Sequence, residues 1–378
     1  MNYYIGIMSG NSLDAIDVVL VDFSEDKTKI LNSYSHQIPR SIREKVISFS
    51  CDASIKELLS LDYEFASLSA CAVNHLLTIT KIPRSEIRAI GSHGQTLLHR
   101  PELEQPYTLQ VGDPNIIATL TGLNVVADFR RKDIALGGQG APLAPVFHKY
   151  IFRGKGLATF IVNFGGIANI TCLNSKNEIE LGFDSGPGNI LLDLFVQNYF
   201  NCDFDDGGNI ARSGVLLPSL LEKMLQDKYF LQRPPKSTGR DDFNLEWLTR
   251  FSLENFRDVD ILHTLTHLTA ITVVNDIKRY AEFGDIIISG GGVYNCFLCE
   301  ILKTYSNNFT VVSSQEYGIE PKLVEATAFA YLAKIHIENK IVDMSKITGA
   351  VSPYKMGVFY PGLTKDLSKY NLTTPVNL

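Results

Sequence analysis

Four times along this chain an apolar, strand-like run meets a glycine-rich polar turn, and that repetition limits the folds open to it. The turns are GIMSGNSLDAID (residues 6–17), NFGGIANIT (163–171), GFDSGPGN (182–189) and SGGGVYN (289–295). A helical pattern, ILLDLFVQNYF, follows the third at once. Small residues let the backbone approach a phosphate, and amides at a turn or helix start can hold an anion. Each turn alone also has an ordinary structural explanation. The first is equally a polar hairpin turn, the second a β-turn, the fourth a closely packed helix start. Four such units separated by helices fit a two-lobed nucleotide-binding architecture, with phosphate loops from both lobes. None of them is a Walker A loop or a GxGxxG fingerprint, so the folds built on those lose weight.

The rest of the pattern agrees. Residues 4–8 and 16–21 read as a hairpin, 41–49 and 55–80 as helices, and 88–91 and 125–127 as short apolar runs. Residues 159–163 and 170–173 flank the pair Gly165-Gly166, 261–280 have helical spacing, 285–289 form a buried strand, and 323–333 form a small-residue helix. Apolar strands alternating with helices predict α/β architecture with mainly buried sheets. A length of 378 residues favours two domains. Their junction is expected near residues 128–142, where apolar patterning gives way to charges and glycines. QRPPKSTGR (232–240) reads as a Pro/Gly-rich surface loop. No repeat is visible at the residue level.

Composition narrows the partners. A formal net charge of -6, with no basic run, argues against nucleic acid or an anionic membrane surface. No stretch of 18 apolar residues suggests a membrane span, and the N-terminus reads as a strand rather than a signal peptide, so the expected place is the cytosol. Of six cysteines only Cys296 and Cys299 form a CxxC pair, which reads as two buried small hydrophobes on a helix. The eight histidines show no metal-binding spacing.

Several residues are candidates for chemistry. The first turn offers hydroxyl and amide donors from Ser9, Asn11 and Ser12 beside Gly10, and carboxylates at Asp14 and Asp17 that can hold magnesium directly or through water. Gly165 and Gly166 suggest a hairpin tip facing a ligand, with Asn163 just before them. Gly290, Gly291 and Gly292 form the kind of turn that passes under an adenine or ribose. Asp184 is a carboxylate at the expected end of a strand, beside a helix start, and can serve as a general base. Four polar clusters bring Gln95, Gln110, Asp128 with Arg130, and Gln139. Amides read hydroxyls and Arg grips a carboxylate, so these suit a polyhydroxylated, carboxylate-bearing small molecule. A satisfied turn or salt bridge explains each cluster as well. His93 reads as a non-catalytic core histidine bonded to backbone.

Taken in order, MSGNSLDAID, GSHGQTLLHRP, LQVGDPNIIA, VVADFRRKDIALGGQGAPLAP, NFGGIANIT, GFDSGPGN, PPKSTGRDDFN and ISGGGVYN resemble the anhydro-N-acetylmuramic acid kinase family, over roughly residues 5–335. The resemblance implies the acetate/sugar kinase–Hsp70–actin superfold, with two ribonuclease H-like lobes around a nucleotide cleft. The lobes are expected at 1–130, completed by 350–378, and at 131–349. It implies ATP and magnesium as cofactors and 1,6-anhydro-N-acetylmuramic acid as substrate. The anhydro ring is opened by water and O6 is phosphorylated, giving N-acetylmuramic acid 6-phosphate and ADP. It assigns Gly10, Asn11, Ser12, Leu13, Asp14, Ala15, Ile16 and Asp17 to the ATP phosphates, Asp184 to the catalytic base, and makes a homodimer plausible. Two positions depart from the family pattern: Asn11 stands for Thr and Ala15 for Gly. Asn keeps a donor and an acceptor, whereas Ala matters only if the backbone there has positive φ. Rival readings are an ordinary sugar kinase of the same fold, an actin- or Hsp70-like ATPase, and a glycosidase using Asp128 and Asp184.

Overall fold

The computed structural model describes residues 2–10, 13–24, 28–152 and 157–363. Asn11 and Ser12 lie outside the described residues. The chain divides into two compact units, Met1–Phe147 with Glu325–Leu378, and His148–Val324. Residues 131–147 and 325–349 therefore lie with the first unit, whereas the sequence reading put them in the second lobe.

The first unit is built on β1 (Tyr3–Ser9), β2 (Ala15–Asp22), β3 (Lys29–Gln37), β4 (Ile87–Ser92) and β7 (Val125–Ala127), with β5 (Gln95–Arg100) and β6 (Tyr107–Val111) forming a separate hairpin. The main sheet runs β3-β2-β1-β4-β7, and the short strand Val358–Tyr360 pairs on the outside of β7. β1, β2 and β3 are antiparallel neighbours, while β4 is parallel to β1 and β7 to β4. Side chains alternate across a strand, so Ile5 and Ile7 share one face. That face packs on Leu61, Phe65, Leu68 and Ala72 of the helix Ile55–Thr80. Ser54 and Glu57 form a capping box that starts this helix.

The opposite face carries Gly6 and Gly91 because a second helix lies directly on the backbone there. A Cβ at Gly6 would sit 1.8 Å from the Ala326 carbonyl oxygen, and one at Gly91 would sit 2.0 Å from that of Phe329. The helix Val324–Ile337 thus reaches the sheet through glycines below and alanines above.

The second unit repeats the same strand order with different residues. β8 (Thr159–Phe164), β9 (Ile167–Leu173), β10 (Ile179–Pro187), β11 (Gly284–Ser289) and β12 (Phe309–Ser313) run in the order β10-β9-β8-β11-β12. β8, β9 and β10 are antiparallel neighbours, and β11 and β12 follow in parallel. Phe160, Val162, Phe164, Ile286 and Ile288 form one core with Leu262, Leu265 and Val273 of the helix Asp258–Lys278. Order 3-2-1-4-5, with the first three strands antiparallel, is the ribonuclease H-like topology, and the chain carries it twice. Cys296 is exposed and Cys299 half-buried, so the pair is not the buried couple read from sequence. Among the described residues no helix is long and apolar enough to cross a membrane.

Candidate active site

In the second unit, strand register gathers polar residues into one row. Asp184 of β10 faces Asn169 of β9, Asn169 faces Asn163 of β8, and Asn163 faces Ser289 of β11. Directly opposed residues put their side chains on the same face of a sheet. The row lies where β8 enters the turn Gly165-Gly166 and β11 enters Gly290. No described residue accepts a hydrogen bond from the amides of Gly165 or Gly166. Gly290 takes a left-handed φ of 83° and its amide donates to Pro321 O, which fixes the entry to the turn Gly291–Tyr294.

Two expectations around Asp184 are corrected. β10 runs on to Pro187, so Asp184 lies within the strand and not at its end. A bulge between Asp184 and Gly186 turns the strand there. The amides expected to hold an anion are also taken. Those of Gly188 and Ile190 donate to Gly166 O, and that of Asn189 donates to Gly165 O. Gly188 must be glycine for this contact, since a Cβ there would stand 2.3 Å from Gly165 O. The segment therefore secures the glycine turn of β8–β9, and that turn is the part with amides to offer.

Half-buried Asp184 is fixed from several sides. Its amide donates to Lys236 O at 3.1 Å, its carbonyl accepts from the Tyr229 hydroxyl at 2.7 Å, and its carboxylate Oδ2 accepts from the Thr238 amide at 3.1 Å. The Lys236 side chain is only 1% exposed and pairs with Asp276 at 3.1 Å. The stretch read as a surface loop thus turns inward at Lys236, with the Thr238 amide on Asp184. Asn169, Lys236, Thr238 and Asp276 were not singled out from sequence. Only the strand register reveals Asn169, and only a pairing across 40 residues reveals Lys236.

In the first unit, polar residues follow the ends of β1, β4 and β7. Ser92, His93, Gly94, Gln110, Asp128 and Arg131 line one cavity. Gln95 and Gln139 do not line it. Three buried side-chain oxygens, Ser9 Oγ, Ser92 Oγ and Gln95 Oε1, have no hydrogen-bond partner among the described residues. Buried polar atoms are rarely left unpaired, so these three, close to strand ends, are available to a polar ligand or to water. Asp128 holds a left-handed φ of 55°, uncommon for a residue with a side chain, and accepts from Arg131 Nε at 2.9 Å.

Arg130 is held by its neighbours. Its Nε and Nη2 reach His93 Nε2 at 3.0 and 2.7 Å, and Nη1 donates to Gly140 O at 2.6 Å. The partner of His93 is therefore the guanidinium, where the sequence reading expected backbone. Burial, and then the charge of Arg130, hold the His93 pKa well below its usual value. A carboxylate gripped bidentately by Arg130 must meet an edge other than Nε–Nη2. Gly140 is fixed in turn by Asp133, whose Oδ2 accepts the Gly140 amide at 2.6 Å. Oδ1 of Asp133 accepts from the Thr348 and Tyr354 hydroxyls at 2.7 and 2.8 Å. Gln139, on the same loop, donates its amide to Thr348 O.

The first turn joins β1 to β2 as a hairpin, with Ser9 opposite Ile16. Leu13 carries the left-handed φ of 57° in this turn, while Ala15 already belongs to β2 and has no positive φ. A methyl at position 15 therefore meets no backbone strain. Leu13 and Ile16 are buried in the core, so their side chains are closed to a nucleotide; the Leu13 amide donates to Gly10 O, and Ile16 lies in β2 between β1 and β3. Asp14 lies 3.6 Å from Arg43, and Asp17 accepts from the Ser35 hydroxyl.

The family model described as anhydro-N-acetylmuramic acid kinase matches residues 2–362. The chain belongs to the anhydro-N-acetylmuramic acid kinase family. A relative of that name from Saccharophagus degradans is 45% identical, covering 94% of this chain and 98% of its own. Another from Shewanella pealeana is 42% identical, covering 95% and 99%. Among solved structures, the chain is similar to the activator of 2-hydroxyisocaproyl-CoA dehydratase from Clostridium difficile with bound ADPNP, at 13% identity and a TM-score of 0.47 over 89% of this chain and 96% of that one. For a member of the anhydro-N-acetylmuramic acid kinase family, two duplicated sheets with polar turns at their strand ends are the frame that carries the candidate residues.

Proposed function

We propose that this protein uses ATP and water to convert 1,6-anhydro-N-acetylmuramic acid to N-acetylmuramic acid 6-phosphate and ADP, a step of cell-wall recycling in the cytoplasm. The observation that carries the reading is the polar row ending in Asp184, a carboxylate pinned at amide, carbonyl and Oδ2, next to a glycine turn whose amides remain open.

In this mechanism Asp184 takes a proton from a water that attacks the anomeric carbon. The new C1–O bond forms as the bridge bond between C1 and O6 breaks. The electron pair released on O6 then attacks the γ-phosphorus, and ADP leaves. The proton on Asp184 returns to solvent, so atoms and charge balance. Phosphoryl transfer is chiefly positioning and charge stabilisation. We assign that work to the amides of Gly165 and Gly166 and the backbone of the first turn, and we assign the adenosine to the turn 290–292. Asn163, Gln95, Gln110, Asp128, Arg130 and Gln139 are assigned to the sugar, its N-acetyl group and its lactyl carboxylate.

No group of three or more potential ligand side chains that could hold a metal occurs among the described residues. Magnesium takes phosphate oxygens and waters with one or two carboxylates. Asp14 of the first turn and Asp17 of β2 would be the carboxylates that serve it. Bound with the nucleotide, magnesium would neutralise phosphate charge.

Product analysis by mass spectrometry tests the proposal. The expected product is ring-opened and phosphorylated, with one ADP per sugar. A phosphorylated product lighter by one water, with the ring intact, would identify an ordinary sugar kinase. ADP release that ignores the sugar would identify an ATPase. Asp184→Asn should lower turnover by about 10²–10⁴-fold. Near-normal turnover in that variant would remove Asp184 from the role of base.

A further inference from the structure

Behind Asp184 lies a buried charge cluster that the reaction scheme does not use. Asp276, near the end of the helix Asp258–Lys278, accepts on Oδ2 from both the Ser185 hydroxyl at 2.9 Å and Lys236 Nζ at 3.1 Å. Its Oδ1 accepts from Arg279 at 2.9 Å. Ser185 follows Asp184 in the chain, and Lys236 is the residue whose carbonyl receives the Asp184 amide. One carboxylate therefore ties down both segments that frame Asp184. The ammonium of Lys236 also sits 4.8 Å over the ring of Tyr229, whose hydroxyl holds the Asp184 carbonyl. The same helix supplies Thr269, which donates to Gly188 O.

Buried ion pairs contribute little net stability compared with apolar residues of the same volume, because both charges lose their hydration. Burial pulls the Lys236 pKa down and the Asp276 pKa up, and each charge opposes the shift in the other. A pair kept at that cost, with contacts to Ser185, to Tyr229 and to the segment that meets the Asp184 amide, has its use in geometry.

We propose that Lys236 and Asp276 are positioning residues for Asp184. Their ion pair holds the segment 236–238 and Ser185 in register, so that the Thr238 amide meets Oδ2 and the carboxylate keeps one direction. The inference rests on Asp184 being the base. Misplacing a reacting group by about 1 Å can cost about 10²-fold in rate, which sets the expected size of the effect.

The test compares Lys236→Met, Asp276→Asn and the double variant, each with Asp184 intact and with Asp184→Asn, by thermal melting and by kcat and KM for both substrates. Asp276→Asn leaves the buried Lys236 ammonium without its counter-charge, and Lys236→Met leaves Asp276 with Arg279 and Ser185 alone, so each single variant should melt earlier. The double variant strands neither and should regain most of the melting temperature. Its kcat should nevertheless stay about 10²-fold down with KM nearly unchanged, and the loss should vanish in the Asp184→Asn background. A double variant with recovered melting and wild-type kcat overturns the inference, as does a loss that persists in full beside Asp184→Asn. Near-normal turnover of Asp184→Asn alone removes the base and the inference together. Should the double variant not fold, Ser185→Ala carries the test, since it withdraws one donor without stranding a charge. It should lower kcat about tenfold at unchanged KM, and an unchanged kcat overturns the inference.

Discussion

Replacing Asp133 by Asn should damage both the stability of the first unit and its grip on sugar. Asp133 is fully buried and accepts three hydrogen bonds, from the Gly140 amide, the Thr348 hydroxyl and the Tyr354 hydroxyl. Asn has the same shape but must place an NH₂ at one of the two oxygen positions. Placed at Oδ2, the NH₂ would confront the Gly140 amide, donor against donor. Placed at Oδ1, it would force both hydroxyls to reverse. Thr348 can do so, since it already reaches Met344 O at 3.2 Å. Tyr354 would then need a new acceptor for its proton. Stranding one buried donor costs about 1–3 kcal/mol, and weaker acceptance at the remaining contact adds about 1 kcal/mol, so a loss of about 3 kcal/mol is expected. For a unit of this size that corresponds to a fall of about 6–12 °C in melting temperature. The Gly140 carbonyl also holds Arg130 at 2.6 Å, so KM for the anhydrosugar should rise more than kcat falls. Calorimetry and steady-state kinetics on Asp133→Asn read both effects. An unchanged melting temperature refutes the hydrogen-bond accounting. A lowered one with unchanged KM refutes the link from Gly140 to Arg130.

Further outcomes follow from the packing and the charges. Gly91→Ala brings a Cβ to 2.0 Å from Phe329 O, so helix and sheet must separate; about 3 kcal/mol of destabilisation is expected, and a wild-type melting curve would show that the contact gives way freely. Burial, and then the charge of Arg130, lower the His99 pKa from 6.5 to about 4. The folded state keeps His99 neutral while the unfolded chain takes up a proton below about pH 6.5, so this contribution is complete above that pH and is lost as pH falls towards 4. The slope is at most about 1.4 kcal/mol per pH unit. His99→Gln should melt less steeply with pH across that window, and parallel curves for the two proteins would refute the assignment.

What could be read from sequence was set by how each segment meets water. β1, β2, β8 and β11 are apolar on most of the positions they bury, with buried polar residues such as Ser9, Asn163 and Ser289 at or near their ends, and their runs stand out. β3, KILNSYSHQ, has no fully buried residue and carries polar side chains on both faces, so nothing in its pattern marks a strand. The hairpin of β5 and β6 was legible only as polar clusters, because its residues are mostly half-buried and serve side-chain contacts such as that of Gln110 with Thr108. Lys236 was the costliest omission. A Pro-Pro-Lys-Ser-Thr-Gly stretch has the composition of an exposed loop, and contacts made only on folding, with Asp276 on a distant helix and with the Tyr229 ring, draw it inside.

The duplication shows why the candidate ligand residues were easier to find than the residues that hold them. Both units use one strand order, yet no residue-level repeat joins them, since topology asks only for apolar strands in the right directions. What recurs locally is glycine with small polar residues at strand ends, because an open amide and close backbone approach are demanded there in either unit. Gly165-Gly166, whose amides no described residue accepts from, stand in plain sight of the sequence, as does Gly290, whose amide is held by Pro321 O and whose left-handed φ of 83° sets its turn. Asp133 and Asp276 answer a different demand. Each is a buried carboxylate that joins a near neighbour, Gly140 or Arg279, to partners far along the chain, at separations of 215 and 221 residues for Asp133 and of 91 and 40 for Asp276. Local pattern holds no trace of such partners. In this chain the candidate ligand groups are local and legible, whereas the groups that hold them are made by folding.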